Sequence, residues 1–515
     1  MHIRKIALVE PRAPGYHVYS RVALPRLGLP LLSALLRREG HQDIRVYCED
    51  IAAIDRDYLF ECDLVGISTT TSTAIAAYRL GSEIKRRNPR AVVVIGGVHA
   101  TFMPDEAFDA AFAARHGFAL PAVDYVVMGE AEAAFVDLVR SLQDGPAPSS
   151  PILGRRLRQD PSQRIDRNPI IADLDSLPFP DLASIVGRER MHIAPIATSR
   201  GCPFDCQFCS VIEMFGQRMR YRSVDPDDPR SVIAEMRQMR ALNLRRVFFY
   251  DDNFSASARR TKTLLENIIR ADVVPKQWTA QARATEVVRD REVLDLMRRT
   301  NCIMLYLGLE SINPETLAEY NKKQSVEQVV EAIHVLREYG IRAHGMFVVG
   351  ADGDTVETIR STAEFAIHHD VSTIQFMILT PLPGTRCFEH LRDQGRILDD
   401  DWSHYDAHHT VFWPRHISPR DLQVETFRAM RRVYQLPRCA APALRGNYLT
   451  GFFRLYGHNL VAKHVRRTRE YAAGLPAHVQ PAPELEQAVT RAPAARQPDT
   501  ARAVPTGLPS GHGDG

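Results

Sequence analysis

Three cysteines lie close together near the middle of the chain, at Cys202, Cys206 and Cys209 in the segment SRGCPFDCQFCS. A loop with this CxxxCxxC spacing can bring three thiolates to one metal centre, and soft thiolates favour iron–sulfur clusters or zinc. Structural zinc sites usually take four ligands from two separated pairs, and no second Cys or His pair with that spacing follows. Three thiolates on a four-iron cluster would leave one iron open to a small molecule; a zinc loop is the alternative.

The elements around the cysteines predict an α/β architecture. From His192 onward, six apolar segments are typical of buried strands, and a helical stretch separates each pair: HIAPIATS, RRVFFYDD, KQWTAQARA, CIMLYLGLE, RAHGMFVVG and TIQFMILTP. Six consecutive βα units predict a curved parallel sheet or (β/α)6 partial TIM barrel, with functional groups at the C-terminal ends of its strands. In one of the intervening helices, Asp228 is predicted as N-cap and Pro229 as the first helical residue.

The first part of the chain has the same alternation of strands and helices. Five apolar segments, beginning with Ile3 to Glu10, are rich in Val and Ile, which predicts a parallel sheet covered by helices on both faces. Five such strands fit a flavodoxin-like or Rossmann-like doubly wound domain, whose ligands bind beyond the carboxyl ends of the strands.

Composition shifts along the chain predict five regions. We expect a sheet domain first, then a proline-interrupted linker, the barrel, a mostly helical C-terminal domain, and a tail rich in Ala and Pro that cannot bury enough apolar surface to fold. These regions cover residues 1–145, 146–190, 191–395, 396–475 and 476–515.

The overall composition excludes several classes of protein. The formal net charge of +3 is too small to indicate a nucleic-acid-binding protein. Neither a signal peptide nor an apolar stretch of about 18 residues is present, so we expect no membrane span. Eight cysteines in 515 residues are too few for a disulfide scaffold, which favours a reducing cytoplasm.

The cysteine motif resembles the signature of radical S-adenosylmethionine (radical SAM) enzymes. In that family the open iron of a 4Fe–4S cluster binds the amino and carboxylate groups of S-adenosylmethionine, and the reduced cluster cleaves it to a 5′-deoxyadenosyl radical. The resemblance assigns Cys202, Cys206 and Cys209 as cluster ligands, and it implies an electron donor of the flavodoxin or ferredoxin type.

Other positions match this family less specifically. The aromatic residue before the third cysteine would lie near adenine, the segment YDDNF would contact the methionine amino group, and polar residues ending the next two strands would bind the carboxylate, the ribose or the substrate. Salt bridges at a barrel rim are the alternative for the charged residues among them. The predicted contacts are Phe208, Asp251, Asp252, Gln281, Arg283 and Glu310.

The strand ends of the first domain resemble the cobalamin-binding domain that precedes many radical SAM enzymes. The segments concerned are VGISTTTST, VIGGVHAT and VVMGEAEAAF. Hydroxyls would contact the cobalamin phosphate and nucleotide, glycines would let its flat tail approach, and the histidine and glutamates would contact corrin amides. The residues so assigned are Ser68, Thr69, Thr70, Gly96, Gly97, His99, Glu130 and Glu132.

One departure from the cobalamin pattern concerns the lower axial ligand. Many such domains carry a DxHxxG loop after the first strand, but this chain has EPRAPGYHVYS, in which His17 lacks the aspartate and glycine spacing. We therefore expect cobalt not to be ligated by that histidine. A Rossmann-like domain without a cofactor is the alternative, and the lack of GxGxxG after a strand disfavours a nicotinamide cofactor.

Together these resemblances predict a cobalamin-dependent radical SAM enzyme that methylates an unactivated carbon of a lipid or natural-product intermediate. The alternatives are a cyclase, oxidative or carbon–carbon bond-forming enzyme without net methyl transfer, and a non-catalytic cobalamin sensor or carrier. We expect a small-molecule or lipid substrate and no nucleic acid. The segment NYLTGFFRLYGHNLVAKHVRRTREY predicts either a peripheral membrane contact or a helix packed on the body with a basic outer face.

Overall fold

The computed structural model describes residues 2–15, 23–143, 145, 152–154, 167–216 and 219–480. The segment containing His17 and residues 481–515 of the predicted tail lie outside the described residues. The described part contains two six-stranded sheets and a helical C-terminal region, which confirms the predicted α/β fold class. The five domain boundaries given above stay predictions.

The first sheet has the strand order β2-β1-β3-β4-β5-β6. Its first five strands are parallel and reproduce the flavodoxin order, while β6 pairs antiparallel with β5. Strand β6 was not predicted; it is a three-residue edge strand inside the predicted linker. The strands are β1 Lys5–Glu10, β2 Asp43–Cys48, β3 Leu64–Thr69, β4 Val92–Gly97, β5 Tyr125–Val127 and β6 Ile152–Gly154.

Helices cover both faces of this sheet because successive strand residues point to opposite sides. Leu8 and Val94 pack on one face with Phe135, while Val9 and Ile95 belong to the core of the other face. The helices are α1 Gly28–Arg38, α2 Arg56–Phe60, α3 Ala74–Arg87, α4 Val98–Phe102, α5 Ala110–His116 and α6 Glu132–Gln143.

The second sheet has six parallel strands in sequential order, as expected for a partial barrel. Its strands are β7 Ala194–Ile196, β10 Arg246–Phe249, β11 Gln277–Ala282, β12 Cys302–Glu310, β13 Arg342–Val349 and β14 Thr373–Ile378. A separate antiparallel pair, β8 Ser199–Arg200 and β9 Arg220–Tyr221, flanks the cysteine segment. The cysteines therefore lie in a loop that leaves the first barrel strand and is closed by a two-stranded ladder.

Helices connect successive barrel strands, and one of them starts later than predicted. Helix α8 begins at Val232 with Ser231 as its N-cap, because the Ser231 hydroxyl accepts a hydrogen bond from the amide of Ala234. Asp228 instead accepts from the amide of Arg230 in the preceding turn, so the prediction of Asp228 as N-cap is wrong. The helices are α7 Ser210–Phe215, α8 Val232–Ala241, α9 Ala258–Arg270, α10 Ala284–Arg289, α11 Arg291–Arg299, α12 Pro314–Glu319, α13 Val326–Glu338, α14 Val356–His368 and α15 Arg386–Asp393.

The C-terminal region packs against the last barrel strand. The Tyr434 hydroxyl, just after α16, donates to the carbonyl of Ile374 in β14 at 2.6 Å. Among the described residues, no helix is long and apolar enough to cross a membrane. The helices are α16 Pro419–Val433, α17 Leu436–Leu444, α18 Tyr448–Arg467 and α19 Arg469–Gly474.

Candidate active site

The three cysteines occupy one loop held on several sides by the barrel. The backbone of Gln207 donates to the carbonyl of Tyr320 and accepts from the amide of Cys387, both at 3.2 Å. Burial, with a smaller effect from the neighbouring Cys206 and Cys202 thiols, raises the pKa of Cys209 to about 12. The three thiols are thus close enough to interact, and a bound metal centre would stabilise their thiolate forms.

The cysteine loop offers three thiolates from one short segment. Among the described residues, no three His, Cys, Asp or Glu side chains are arranged to hold one metal ion. A zinc ion requires ligands that converge on one point at about 2.0–2.3 Å. A four-iron cluster instead takes one thiolate on each of three irons, so its cysteines need not converge, and the loop fits that donor set.

Arg283, which follows strand β11, contacts the cysteine loop directly. Its guanidinium lies 3.7 Å from the Cys206 sulfur and 3.7 Å from the ring centroid of Phe204, and only 5% of the residue is exposed. It also donates to the backbone carbonyl of Lys322. The Lys322 ammonium lies 2.5 Å from the carboxylate of Glu310 at the end of β12. Two predicted residues, Arg283 and Glu310, thus belong to one buried polar chain that ends at a cysteine.

The two predicted aspartates after β10 have different environments. Asp251 accepts hydrogen bonds from the amide and hydroxyl of Thr198 and from the Ser199 hydroxyl, so its observed role is to hold the start of β8. Asp252 accepts from the amide of Gly201 at 3.2 Å. Burial raises the pKa of Asp252 to about 6 although this hydrogen bond lowers it. Asp252 is therefore the aspartate that faces the space beside the cysteine loop.

Several buried polar atoms without hydrogen-bond partners among the described residues lie in the segments that follow β10, β11 and β12. The Asn253 amide, whose residue is only 2% exposed, contacts the Glu286 carboxyl, and its polar atoms have no further hydrogen-bond partner among the described residues. Burial raises the pKa of the nearby Glu286 carboxyl, while Arg283 opposes that shift. Such atoms are costly unless a ligand pairs them. Unpaired atoms occur on Asn253, Ser255, Arg283, Glu286 and Gln324.

These atoms fit a ligand with several polar groups, such as the amino acid and nucleoside parts of S-adenosylmethionine. The ring of Phe208 lies beside them in a T-shaped contact with Tyr320, with 5.0 Å between ring centroids. Gln281 lies on β11 in register with Tyr306, two residues before Arg283, and its side chain is half-buried. The expected contacts of Phe208 and Gln281 with S-adenosylmethionine stay predictions.

A cavity of about 330 Å³ lies between the first sheet and the barrel. One wall is formed by α1, α6 and the C-terminal ends of β3, β4 and β5; the other includes Ala197, Arg200, Tyr250 and Asp252 of the barrel. The predicted cobalamin-contacting residues on its wall are Ser68, Gly96, Gly97, Glu130 and Glu132. The cavity is where the flavodoxin-like topology predicts a ligand, and Asp252 connects it to the cysteine loop.

Two glycines of the cavity wall pack closely against neighbouring residues of the domain. Gly97 has a φ of +98°, and a Cβ there would lie 2.4 Å from the carbonyl oxygen of Thr69. A Cβ on Gly66, which also lines the cavity, would lie 2.9 Å from the Leu8 side chain. A side chain at either position would therefore displace neighbouring residues and change the shape of the cavity wall.

Three predicted cobalamin contacts have partners inside the protein. The Thr69 hydroxyl donates to the carbonyl of Gly96 at 2.8 Å, and Thr70 forms a capping box with Thr73. The fully buried His99 ring lies 3.0 Å from Glu106 and packs edge-on against Trp402. The residues Thr69, Thr70 and His99 do not line the cavity described above, and their contacts with cobalamin stay predictions.

Glu130 and Glu132 bind arginines from the barrel. Glu130 accepts from Arg220 at 2.8 and 2.9 Å and from Arg200 at 2.9 Å, while Glu132 lies 2.6 Å from Arg200. Arg200 directly precedes Gly201 and the first cysteine. The sequence analysis did not single out Arg200, Arg220, Lys322 or Glu286; an arginine next to the cysteine motif was the one local signal available. This network joins the cavity wall to the cysteine loop.

Comparisons with known proteins agree with both halves of this architecture. The radical SAM superfamily model matches residues 196–366, and the B12 binding domain model matches residues 19–139. An uncharacterised methyltransferase of Pyrococcus horikoshii is 30% identical over 453 residues, covering 85% of this chain and 94% of that protein. The bacteriochlorophyllide d C-12(1)-methyltransferase of Chlorobaculum tepidum is 29% identical over 72% of this chain and 75% of that protein.

Two solved structures share the fold at low sequence identity. The radical S-adenosylmethionine methyltransferase TsrM from Kitasatospora setae, with cobalamin and a 4Fe–4S cluster bound, superposes with a TM-score of 0.57 at 20% identity, covering 76% of this chain and 75% of that chain. The cobalamin-dependent radical enzyme OxsB gives a TM-score of 0.64 at 15% identity, covering 95% and 78%.

A three-cysteine barrel joined to a flavodoxin-like domain with a cavity at its strand ends defines an enzyme that has one cofactor site in each domain. The chain belongs to the radical SAM superfamily, in the group whose members carry a B12-binding domain. Its cofactors are therefore a 4Fe–4S cluster, S-adenosylmethionine and cobalamin, as the sequence predicted.

Proposed function

We propose that this enzyme transfers a methyl group to an unactivated carbon of a lipid or natural-product intermediate. The single observation that carries the proposal is the cavity that Asp252 and Arg200 share with the strand ends of the B12-binding domain. A methyl carrier in that cavity would face the cysteine loop across one enclosed space. Such an arrangement suits a reaction that needs both cofactors at one substrate.

The chain's own residues would hold the two cofactors. Cys202, Cys206 and Cys209 would bind the cluster, and the unpaired polar atoms of Asn253 and Glu286 would bind S-adenosylmethionine. When bound, the cluster and S-adenosylmethionine would supply a hydrogen-abstracting radical, and cobalamin would carry the methyl group.

Other residues would complete these sites. Phe208 would contact the nucleoside, and Arg283 would fix the position of the loop beside Cys206. The glycine-lined cavity would enclose the cobalamin tail and exclude water from it. A low-potential electron donor of the flavodoxin or ferredoxin type would reduce the cluster.

Relatives support the substrate class without naming the substrate. Similar proteins include the hopanoid C-2 methylase of Rhodopseudomonas palustris and two bacteriochlorophyllide d methyltransferases of Chlorobaculum tepidum. These names describe large, mostly apolar ring systems. We therefore propose an apolar polycyclic compound as the substrate of this enzyme.

A second candidate function is an oxidative cyclisation without net methyl transfer. It is favoured by one observation: the anaerobic magnesium-protoporphyrin IX monomethyl ester cyclase of Cereibacter sphaeroides is 28% identical over 76% of this chain. That protein is longer, and the match covers 63% of it. A non-catalytic cobalamin carrier is disfavoured because it has no use for the cysteine loop.

Product analysis separates these functions. The anaerobically reconstituted enzyme is incubated with reductant, S-adenosylmethionine labelled in its methyl group, and lipid and metabolite extracts of a deletion strain. We expect a labelled methylated product, with 5′-deoxyadenosine and S-adenosylhomocysteine formed in equal amounts. Formation of 5′-deoxyadenosine with an unlabelled, altered product would replace the methyltransferase by the cyclase. Cys206→Ala serves as the inactive variant, and Cys302→Ala, a buried thiol in β12, is its matched control.

A further inference from the structure

The C-terminal helices present an apolar surface to solvent. Among the described residues, seven of the twelve exposed large hydrophobic side chains lie between residues 436 and 465. Scattered exposed apolar residues are normal, but a concentration of this kind marks an interaction site. The exposed group formed by Leu444, Tyr448, Phe452, Leu455 and Tyr456 is called the α17–α18 surface below.

Helical spacing puts most of this surface on one face of α18. Tyr448, Phe452, Leu455 and Tyr456 follow one another at i, i+4, i+7 and i+8, and Tyr448 and Phe452 are 74% and 63% exposed. Two aromatic side chains this exposed are unfavourable in water. We therefore expect a binding partner to cover these two side chains in the functioning enzyme.

The opposite face of α18 is locked to the body, so the apolar face cannot rotate inward. A Cβ on Gly457 would lie 2.7 Å from the Tyr434 ring, which shows how closely the helix packs there. The Arg454 guanidinium donates to Asp370 at 2.7 Å and to the carbonyl of Ser372 at 2.9 Å. The exposure of the aromatic residues is thus fixed by the packing of the helix.

The charge around this surface has one sign. Residues 436–475 contain seven Lys and Arg residues and a single acidic residue, Glu470. Lys463 and Arg466 are exposed and continue the stripe of Phe452 and Tyr456 toward the C-terminal end of α18. Aromatic side chains followed by cations on one helix face are typical of proteins that bind the headgroup region of an anionic bilayer.

Two other possible partners of the α17–α18 surface match its positive charge less well. A second copy of the chain would bring an equally cationic surface, and like charges oppose such a symmetric contact. Residues 481–515 contain four acidic and three basic residues and few large apolar ones, so they offer little to match the surface. We propose that the α17–α18 surface binds the face of an anionic lipid bilayer, with Tyr448 and Phe452 inserted among the lipids.

The proposal does not depend on which reaction the enzyme performs. It is tested by co-sedimentation of the anaerobically purified, full-length holoenzyme with phosphatidylcholine vesicles that contain or lack phosphatidylglycerol. We expect binding to the anionic vesicles and its loss at about 1 M salt, where charges are screened beyond about 3 Å. Tyr448→Ser/Phe452→Ser and Lys463→Glu/Arg466→Glu are each expected to weaken partitioning by about tenfold or more.

Matched controls lie elsewhere on the surface. Leu242→Ser removes an exposed leucine after α8, and Arg270→Glu/Arg299→Glu reverses two exposed cations of the barrel helices. Neither control is expected to change partitioning more than twofold, on the order of the effect of scattered surface changes. Cofactor content and circular dichroism report whether each variant is folded.

Several results would overturn the proposal. The first is a folded wild-type enzyme that stays in the supernatant with both kinds of vesicle. The second is vesicle binding that the Tyr448 and Phe452 variant retains. Light scattering adds a third: a wild-type dimer that this variant loses, without vesicle binding, would assign the surface to a second copy. If vesicle binding appeared only after deletion of residues 481–515, the α17–α18 surface would be assigned to binding of that segment.

Discussion

Replacing Glu130 by Ala should destabilise the contact between the B12-binding domain and the cysteine loop by about 3–5 kcal/mol. The Glu130 side chain is 2% exposed and bridges Arg220, whose side chain is 4% exposed, and Arg200, which is 21% exposed. Removing the carboxylate leaves the Arg220 charge buried without its partner, and a loss of this size is typical when one member of a buried ion pair is removed.

The stability that Glu130 contributes should depend on pH. Burial alone would raise the pKa of Glu130, but the hydrogen bonds of Arg220, the charge of Arg200 and the amide of Ile171 bring it below its ordinary value of 4.5. A carboxyl whose pKa is lower in the folded state stabilises that state above its unfolded pKa, and this contribution is lost as pH falls through the folded value. The wild type and Glu130→Ala should therefore differ most above about pH 5 and converge on acidification.

Hydrogen-exchange mass spectrometry is the appropriate assay, because a multidomain protein with bound cofactors does not unfold in two states. The local opening free energy is read from peptides that cover residues 199–221. Glu132→Ala is the matched control: Arg200 keeps Glu130 as a partner, so we expect a loss of only about 1 kcal/mol. Glu130→Leu/Arg220→Met should recover most of the loss, since it leaves no unpaired charge. Equal losses in Glu130→Ala and Glu132→Ala would refute the reasoning.

Three further predictions concern the cofactor sites. Cys206→Ala should abolish cluster assembly in a folded protein, measured as iron content and cluster absorbance, whereas Cys439→Ala should keep both; full absorbance in Cys206→Ala would contradict the assignment. Gly97→Ala should weaken cobalamin retention about tenfold or more, measured by corrin absorbance, because its Cβ would meet Thr69 and its backbone conformation costs an L-residue about 1–3 kcal/mol. Asn253→Ala should weaken S-adenosylmethionine binding about tenfold, measured by calorimetry; unchanged binding would exclude Asn253 from the site.

The architecture was largely predictable because its signals are local. Buried parallel strands appear as short runs of Val and Ile, and alternation with helical segments then determines the class of sheet. The errors were also local: Asp228 and Ser231 are both good N-caps three residues apart, and only the backbone path decides between them. Strand β6 was not predicted, since three residues at a sheet edge leave no periodicity to detect.

The residues of the candidate site were predictable only where a sequence motif or a position at the end of a strand identifies them. The cysteine loop and the strand-end residues Asp252 and Arg283 follow from motifs and topology. The residues that hold these side chains in place come from distant parts of the chain. Arg283 donates a hydrogen bond to Lys322, which lies 39 residues away in sequence, and Arg220 donates to Glu130, which lies 90 residues away. Sequence spacing carries no signal for such contacts, and Thr69 shows the converse, since a hydroxyl expected to face a ligand is bonded to the backbone.

The closure of the cysteine loop depends on the other domain for an electrostatic reason. Arg200 and Arg220 are direct cross-strand partners in the β8–β9 ladder, and like charges in that position destabilise a two-stranded pair. Glu130 lies between them and accepts hydrogen bonds from both, so a carboxylate of the B12-binding domain neutralises the repulsion inside the ladder. The same carboxylate lines the proposed cobalamin cavity. We therefore expect the ladder that closes the cluster loop to lose stability when the two domains separate, so that the two cofactor sites depend on each other.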